Sequence, residues 1–308
     1  MCEVAVVTTG FFDGVHLGHR HVLETVVSAA RERGEEAVVL TFWPHPRAVL
    51  QQDAREFRLL TSLQEKKEML REMGIDRVEV LPFTRDFAAL TAQEYLQLLK
   101  DRYDATLVVM GYDNRIGSDK RTAEEVCDSP AVASRPLPAI GWAPPSYPAE
   151  GGQRPGNHIP LPPISSTRIR KALLGGDVEA GNGMLGYRYG LYGVVVAGNR
   201  MGRTIGFPTA NMQLYEPLKL VPGDGVYAVE AEVLGKTYRG MTNIGQRPTV
   251  GGTFTTIETH ILDFDEDIYG LPLRITFLKR LRDEVHFPSL EALKRQLEMD
   301  RDCCREQK

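Results

Sequence analysis

The segment from Thr9 to His19 constrains this chain more than any other, because it joins an apolar run to an amphipathic one. Residues 4–7 before it are apolar, and an amphipathic stretch follows from His21. That order predicts a strand, a tight loop and a helix N-terminus, which is where α/β domains bind anions. Three glycines in the loop would let the backbone approach a phosphate closely: Gly10, Gly14 and Gly18.

Two histidines stand at the end of this loop, three residues apart. His16 and His19 form an H-x-G-H pattern, which can hold a triphosphate and stabilise charge while a phosphoester is exchanged. The alternative is a pair of surface histidines beside a turn, and the pattern alone does not decide between the two.

A second candidate phosphate site lies further along the chain, in residues 164–170. Ser166 or Thr167 is a natural N-cap of a helix, and Arg170 falls on its first turn. Hydroxyls, free backbone N–H groups and a guanidinium together suit a polyphosphate. The alternative is an ordinary helix cap with a solvated arginine.

Length, charge and cysteine usage limit the class of protein. The chain has 308 residues, enough for two domains, and a formal net charge of −4, which gives no basic field for duplex nucleic acid. The four cysteines show no metal-site or disulfide spacing, and no apolar run is long enough to span a bilayer. We therefore expect a soluble, cytoplasmic protein with no nucleic-acid or membrane partner.

The pattern of elements changes near residue 185. In residues 1–185, short apolar runs alternate with helical patterns, which predicts an α/β domain with a parallel sheet. In residues 186–308, short strands follow one another and a helical pattern closes the chain, which predicts a small closed β-barrel ending in a helix. The Pro- and Gly-rich stretch 136–163 is expected to form a surface excursion. The helix predicted from Leu63 to Met73 is expected to carry its lysines and glutamates on its outer face.

The barrel region has a glycine-rich loop of its own, between Gly198 and Asn211. This loop is neither a Walker A sequence nor a dinucleotide fingerprint, yet its glycines can turn backbone amides toward an anion. Thr209 and Asn211 offer hard oxygen donors that suit magnesium. The alternative is a barrel hairpin with glycine turns.

These motifs together resemble known families. The H-x-G-H loop followed by residues 164–170 resembles the nucleotidylyltransferase superfamily, and more closely the adenylyltransferase half of the prokaryotic bifunctional riboflavin kinase/FAD synthetases. Residues 41–47 are similar to the Phe-x-Pro-His-Pro segment of that family. Residues 202–211 closely resemble the G-R-x-x-G-F-P-T-A-N signature of riboflavin kinases.

The resemblance implies a Rossmann-like nucleotidylyltransferase domain, a riboflavin kinase barrel and two consecutive reactions. The barrel would transfer the γ-phosphate of ATP to riboflavin, giving FMN and ADP. The first domain would then join FMN to the adenylyl group of ATP, giving FAD and pyrophosphate. Mg²⁺ is implied with ATP, the expected partners are small molecules, and the expected state is a monomer or weak homo-oligomer.

The resemblance also assigns roles to residues at matching positions. Catalytic roles fall to His16, His19, Arg170 and Glu258. The ATP phosphates would contact Gly10, Phe11, Phe12, Asp13, Gly14, Gly18, Ser166, Thr167, Gly198, Gly202, Arg203, Gly206 and Pro208. The flavin would contact His45, Pro46, Arg47, Asp113, Asn243 and Arg247, and magnesium would bind Thr209 and Asn211. His260 is expected to point away from the Glu258 side and to serve packing.

One segment departs from the family pattern. Where the family shows G-x-D/N-F-x-F-G followed by arginine, this chain has Asn114 and Ile116 at the aromatic positions and Lys120 at the arginine position. Loss of a ring there would weaken adenine or flavin packing by on the order of 1 kcal/mol. Three hypotheses stay open: a bifunctional enzyme, a kinase with a weak or silent transferase domain, and a flavin- or nucleotide-binding regulator.

Overall fold

The computed structural model of the chain describes residues 4–50, 57–126, 129, 131–142, 161–198, 201–249 and 252–306. It divides into two compact units, Met1–Ser166 and Thr167–Lys308. This division falls ahead of the domain boundary predicted at residue 185. Most of the predicted Pro- and Gly-rich excursion, residues 143–160, lies outside the described residues.

The described part of the first unit is an α/β sheet domain. Its strands are β1 (Ala5–Thr9), β2 (Glu36–Trp43), β3 (Arg77–Pro82), β4 (Ala105–Met110) and β5 (Ala133–Pro136). Its helices are α1 (Leu17–Arg33), α2 (Pro46–Leu50), α3 (Leu63–Glu72), α4 (Arg85–Ala89), α5 (Ala92–Tyr103) and α6 (Ala123–Val126). The strands pair in parallel in the order β3-β2-β1-β4-β5, which confirms the predicted parallel sheet.

Strand β1 lies in the middle of this sheet and is buried along its whole length. Successive side chains of a strand point to opposite faces, so Ala5 and Val7 enter one hydrophobic cluster and Val6 enters another. The first cluster includes residues of α5 and the second includes residues of α1. Because both faces are covered, the strands are the continuous apolar runs seen in the sequence.

The strand order reverses between β1 and β4. The chain extends the sheet from β1 to β2 and β3, and then returns to place β4 on the other side of β1. In open α/β sheets the carboxyl ends of the strands leave a crevice at this switch point, and ligands bind there. The loop from Gly10 to His16 leaves β1 at this edge.

The described part of the second unit is a closed antiparallel barrel, as predicted. Its strands are β6 (Gly190–Val196), β7 (Ala210–Leu214), β8 (Gly225–Val233), β9 (Lys236–Thr249), β10 (Gly252–Ile261) and β11 (Pro272–Arg282). They close in the order β10-β7-β6-β11-β8-β9. Strand β7 was not among the predicted strands, because it lies at the end of the glycine-rich loop and looks like part of it.

Helices cover this barrel and close the chain. They are α7 (Ser166–Leu174), α8 (Val178–Leu185), α9 (Met201–Thr204) and α10 (Leu290–Glu306). Helix α8 packs on β11, where the Asn182 side chain donates to the Phe277 carbonyl at 3.0 Å. This contact gives a physical reason why the compact unit begins before residue 185. The predicted terminal helix is confirmed by α10.

Candidate active sites

A cavity of about 240 Å³ opens at the carboxyl ends of β1 and β4. Several residues predicted to bind phosphate or flavin line it, namely Gly10, Phe11, Phe12, His16, Gly18, His19, Asp113 and Ser166. The switch-point crevice and the H-x-G-H loop therefore coincide. We refer to this space as the histidine cavity.

The two histidines form an ordered pair at the start of α1. The Nδ1 atom of His16 accepts a hydrogen bond from the backbone N–H of His19 at 3.2 Å and so caps the helix. Their rings stack with 3.6 Å between centroids and 15° between planes. Gly18 allows this arrangement, since a Cβ at that position would lie 3.3 Å from the His16 ring.

The imidazole of His19 is electrostatically unusual. Burial lowers the pKa of His19 well below its ordinary range, and the charges of His16 and Lys66 lower that pKa further. Its Nδ1 atom is buried and has no hydrogen-bond partner among the described residues. A neutral imidazole with an unused nitrogen beside a cavity is typical of a ligand-binding position.

Asp13 and Gly14 lie behind the histidine cavity. The buried carboxylate of Asp13 accepts hydrogen bonds from the backbone N–H groups of Leu60 and Thr61 at 3.0 to 3.1 Å. The N–H of Gly14 donates to the hydroxyl of Thr61 at 3.1 Å. Asp13 and Gly14 were predicted to bind phosphate. In the structure the Asp13 carboxylate and the Gly14 N–H instead bond the loop after β1 to the segment before α3.

Helix α3 differs from its predicted orientation at one position. Lys66 was expected on the outer face, yet it is only 1% exposed. Its ammonium group donates to the Phe11 carbonyl at 2.8 Å and to the Thr41 hydroxyl at 3.0 Å. Lys66 stands in the charged run Glu-Lys-Lys-Glu at residues 65–68, so periodicity alone gave no signal that one lysine points inward.

A second cavity of the first unit, of about 460 Å³, is lined mainly by apolar side chains; we call it the aromatic cavity. Its rings come from Phe11, Phe42, Phe83, Phe87 and Tyr95. It shares four lining residues with the histidine cavity, and these form the wall between the two: Thr9, Gly10, Phe11 and Asn114. Sequence reasoning missed most of these rings, because singly each resembles a core residue. Only their position at the carboxyl ends of strands could have marked them.

The segment that departs from the family pattern lines the aromatic cavity. Asn114 donates from its side-chain amide to the Thr9 carbonyl at 2.8 Å and so ties the end of β4 to the end of β1. Ile116 is buried and lines the same space, as does Lys120. The rings found in the family at these positions are thus replaced by an amide and an aliphatic group.

The predicted flavin segment after β2 also lies beside the aromatic cavity. Pro46 is part of its lining. The His45 ring packs edge-on against the Phe11 ring, with 4.0 Å between centroids. Arg47 stands over the ring of Phe57, with its guanidinium carbon 5.7 Å from the ring centroid.

Ser166 ends the first unit. Its hydroxyl donates to the backbone carbonyl of Asp13 at 3.0 Å. Helix α7 begins at Ser166, so Ser166 and Thr167 lie inside its first turn and do not cap it from outside as predicted. Thr167 and Arg170 follow on the same helix and belong to the second unit.

Two cavities of the barrel meet at Thr209. The smaller, of about 90 Å³, is lined by predicted phosphate and metal residues, namely Gly198, Arg203, Pro208, Thr209 and Asn211. The larger, of about 600 Å³, is lined among others by Gly202, Thr209, Asn243, Arg247 and Glu258. We call them the phosphate cavity and the large barrel cavity. Thr209 is the predicted site residue common to both.

Glu258 stands where these cavities adjoin. On the sheet, Glu258 of β10 is the register partner of Asn211 of β7. One of its carboxylate oxygens lies 3.5 Å from the Thr209 hydroxyl, which donates to it, and the other forms an ion pair with Arg247. The structure thus brings two separately predicted residues, Thr209 and Arg247, to the carboxylate of Glu258.

The glycine-rich loop folds tightly against β7. A Cβ at Gly198 would lie 2.1 Å from the side-chain nitrogen of Asn211, so no other residue fits there without displacement. Gly206 has φ +86°, a left-handed conformation that favours glycine, and it lies on neither cavity lining. Gly206 therefore shapes the turn that leads into β7.

The orientation expected for His260 was wrong, whereas its expected packing role agrees with its contact with Phe207. Residues two apart on a strand share a face, so His260 lies on the same side of β10 as Glu258 and lines the large barrel cavity. Its Nδ1 lies 2.7 Å from the Pro208 carbonyl, and its ring packs against Phe207. Burial lowers the pKa of His260, which keeps the ring neutral near pH 7.

Within the described ranges, no helix is long and apolar enough to cross a membrane. No group of three or more His, Cys, Asp or Glu side chains that could hold a metal occurs in those ranges either.

Comparisons with known proteins match both units. The family model for FAD synthetase matches residues 2–132, and the family model for riboflavin kinase matches residues 185–308. The Bacillus subtilis bifunctional riboflavin kinase/FMN adenylyltransferase is 35% identical over 304 residues, covering 96% of this chain and 90% of that protein. The Escherichia coli K12 protein of that name is 37% identical over 308 residues, covering 99% and 93%.

A solved structure is also similar over almost the whole chain. It is described as a macrolide-efflux protein from Streptococcus pneumoniae and is 34% identical, with a TM-score of 0.88. The match covers 99% of this chain and 95% of that one.

Proposed function

Because the chain belongs to the bifunctional riboflavin kinase/FMN adenylyltransferase family, it catalyses both reactions, and we propose how its sites divide them. The barrel phosphorylates riboflavin to FMN with ATP. The first unit transfers the adenylyl group of a second ATP to FMN and releases pyrophosphate. Each unit has its own glycine-lined phosphate loop beside a larger cavity, and this duplication is the observation that supports the division.

In the barrel, ATP binds in the phosphate cavity and riboflavin in the large barrel cavity. The two spaces adjoin at Thr209, so the γ-phosphate and the ribityl hydroxyl would meet beside Glu258. The 5′-hydroxyl oxygen of riboflavin attacks the γ-phosphorus of ATP, and Glu258 accepts the hydroxyl proton. The bond between the γ-phosphorus and the β–γ bridging oxygen breaks, and ADP leaves with that oxygen. Asn243 and Arg247 line the riboflavin side.

The donor set of the barrel fits magnesium. Mg²⁺ prefers oxygen ligands and keeps several of its waters, so a few well-placed oxygens suffice. Thr209 contributes a hydroxyl and Asn211 an amide oxygen; the carboxylate of Glu258 lies 3.5 Å from that hydroxyl, and Asn211 is the register partner of Glu258 on the neighbouring strand. When bound, the ion neutralises charge on the β- and γ-phosphates of ATP.

In the first unit, the triphosphate of ATP binds over the H-x-G-H loop in the histidine cavity. An oxygen of the FMN phosphate attacks the α-phosphorus, and the bond to the β-phosphate breaks to release pyrophosphate. FMN enters with its phosphate already ionised, so alignment and charge stabilisation carry the catalysis. His16, His19 and Ser166 serve this purpose.

The isoalloxazine of FMN binds in the aromatic cavity. A flat, largely apolar ring system gains from aromatic neighbours such as Phe42, Phe83 and Phe87. Because the aromatic cavity and the histidine cavity share lining residues, the phosphate of FMN bound in one would lie close to the nucleotide bound in the other. Both reactions consume ATP, in keeping with the predicted cytoplasmic location.

One assay tests this division of labour. The purified protein is incubated with riboflavin, ATP and magnesium, and the flavins are separated over time. We expect FMN first and FAD second, and we expect FAD alone when FMN is supplied. FMN without FAD would contradict the role given to the first unit, and bound flavin without turnover would contradict both roles.

A further inference from the structure

Lys66 is a charged group that the division of labour above leaves unused. It projects from α3 into the first unit and is 1% exposed. Its Nζ atom lies 2.8 Å from the Phe11 carbonyl oxygen, 3.0 Å from the Thr41 hydroxyl and 3.8 Å from the centroid of the Phe11 ring. Two of these three contacts are to one residue of the loop after β1, Phe11, and the third is to Thr41.

Phe11 occupies a sensitive position, because it lines both the histidine cavity and the aromatic cavity. Its carbonyl also accepts a hydrogen bond from the Thr41 hydroxyl at 3.2 Å. Two residues further on, the Asp13 carboxylate holds the backbone that precedes α3. The loop is therefore bonded to the α3 segment at two points, and Lys66 is the one that contacts the cavity-lining residue Phe11.

We propose that Lys66 is a positioning residue for adenylyl transfer, which holds Phe11 in the wall between the cavities and sets a buried positive charge beneath the triphosphate. This inference rests on the function proposed for the first unit. It assigns no contact between Lys66 and substrate. The residue acts through Phe11 and through its electrostatic field.

The burial of this charge is costly for folding alone. No ion pair joins Lys66 to a carboxylate among the residues that the structure describes, and an unpaired buried charge is unfavourable. Burial lowers the pKa of Lys66 to about 8, while the charge of Asp13 opposes that shift. A methionine would fill a similar space without this penalty.

The groups that sense this charge come from two other elements. Asp13, in the loop after β1, and His19, on α1, are the titratable side chains coupled to Lys66. Both belong to the H-x-G-H loop or its helix. A change in the charge of Lys66 therefore changes the electrostatic potential where the triphosphate is proposed to bind.

The test compares three variants in FAD formation from supplied FMN. Lys66→Met removes donor and charge, Lys66→Gln removes the charge and keeps a donor, and Lys67→Met removes the neighbouring charge on α3 as a matched control. We expect Lys66→Met to lower kcat/KM for ATP on the order of tenfold to a hundredfold, and Lys66→Gln to lower it less. Lys67→Met should leave it unchanged, and riboflavin kinase activity should stay normal in all three.

The pH profile separates positioning from a merely structural role. In the unaltered protein, kcat/KM for ATP should fall above pH 8 as free Lys66 loses its proton, because this parameter reports the free enzyme. Lys66→Gln should lack this alkaline limb, and Lys67→Met should keep it. Wild-type kcat/KM in Lys66→Met, or a persisting limb in Lys66→Gln, would overturn the proposal.

The unaltered protein alone provides two further tests. If Lys66→Met does not fold, an unaltered protein without an alkaline limb near pH 8 overturns the proposal by itself. If the unaltered protein makes FMN but no FAD from supplied FMN, the proposed function of the first unit fails instead, and the two failures are distinguishable.

Discussion

The rings of His16 and His19 stack at the N-terminus of α1, and among the residues that the structure describes the buried Nδ1 of His19 has no hydrogen-bond partner. The pKa of His19 is low because the ring is buried and lies beside two other basic groups, His16 and Lys66. A bound triphosphate would counter the influence of these two basic groups and raise the pKa of His19, since a nearby negative charge favours the imidazolium form. The site is therefore prepared to take up a proton together with its ligand.

ATP binding to the first unit should therefore depend on pH through His19. The free ring is neutral at pH 7, and the triphosphate raises its pKa, so affinity should increase as the pH falls from 8 to 6. Calorimetry in two buffers of different ionisation enthalpy measures the proton uptake. The measurement uses a protein that carries Asn211→Ala, so that the kinase site does not contribute to the signal.

The matched comparison for this prediction is His19→Gln in the Asn211→Ala background. It should bind ATP more weakly and should lack the part of the proton uptake that comes from the ring. The pKa of ATP itself contributes equally to both proteins, so only the difference counts. Equal proton uptake in both would refute the link between His19 and the triphosphate.

Replacement of Asn211 should separate the two activities. Asn211→Ala removes a proposed magnesium ligand beside Glu258, so FMN formation should be lost while FAD formation from supplied FMN persists. Gln213→Ala, at an exposed position of the same strand, is the control and should retain both activities. A loss of both activities in Asn211→Ala would argue against independent sites.

Local chemistry made much of this protein predictable. The parallel sheet was predictable because strands buried on both faces need uninterrupted apolar runs. The H-x-G-H loop and the barrel loop stand out in the sequence because several glycines follow one another at short intervals in each. Where one local rule decides the structure, the sequence was sufficient.

The remainder depends on tertiary contacts that no local rule contains. Phe42 and Phe83 are ordinary strand-end residues until the fold places both at one edge of the sheet. Lys66 looks like an outer-face lysine until the Phe11 carbonyl is found beside it. The Glu258–Arg247 ion pair is equally non-local, since it joins two strands whose pairing the sequence did not specify.

Glu258→Gln should nearly abolish the kinase reaction. The amide keeps the shape of the side chain but cannot accept the hydroxyl proton, so kcat should fall on the order of 10²- to 10⁴-fold. KM for riboflavin should change much less. Stopped assays of FMN formation measure both constants.

A charge change elsewhere on the barrel controls for this variant. Glu232→Gln lies at an exposed position of β8, away from both barrel cavities, and should leave FMN formation intact. Glu258→Gln should leave FAD formation from FMN intact. Near-normal kcat in Glu258→Gln would remove Glu258 from the role of base.

The stability of the first unit should depend on pH through Lys66. Its pKa is about 8 in the folded protein, against 10.5 without burial, so between these values the unfolded chain holds the extra proton. The free energy of unfolding should therefore rise with pH from 8 to 9.5, by up to about 2 kcal/mol. Below pH 8 both states are protonated and the full penalty of the buried charge remains.

The two tryptophans of the chain make this measurable. Trp43 and Trp142 both lie in the first unit, so urea unfolding followed by tryptophan fluorescence reports on that unit. The titration stops at pH 9.5, because burial raises the pKa of Tyr95 and tyrosine ionisation would oppose the trend at higher pH. Lys66→Met should give a flat profile, whereas Lys67→Met should rise like the unaltered protein. An equal rise in Lys66→Met would mean that another group carries the effect.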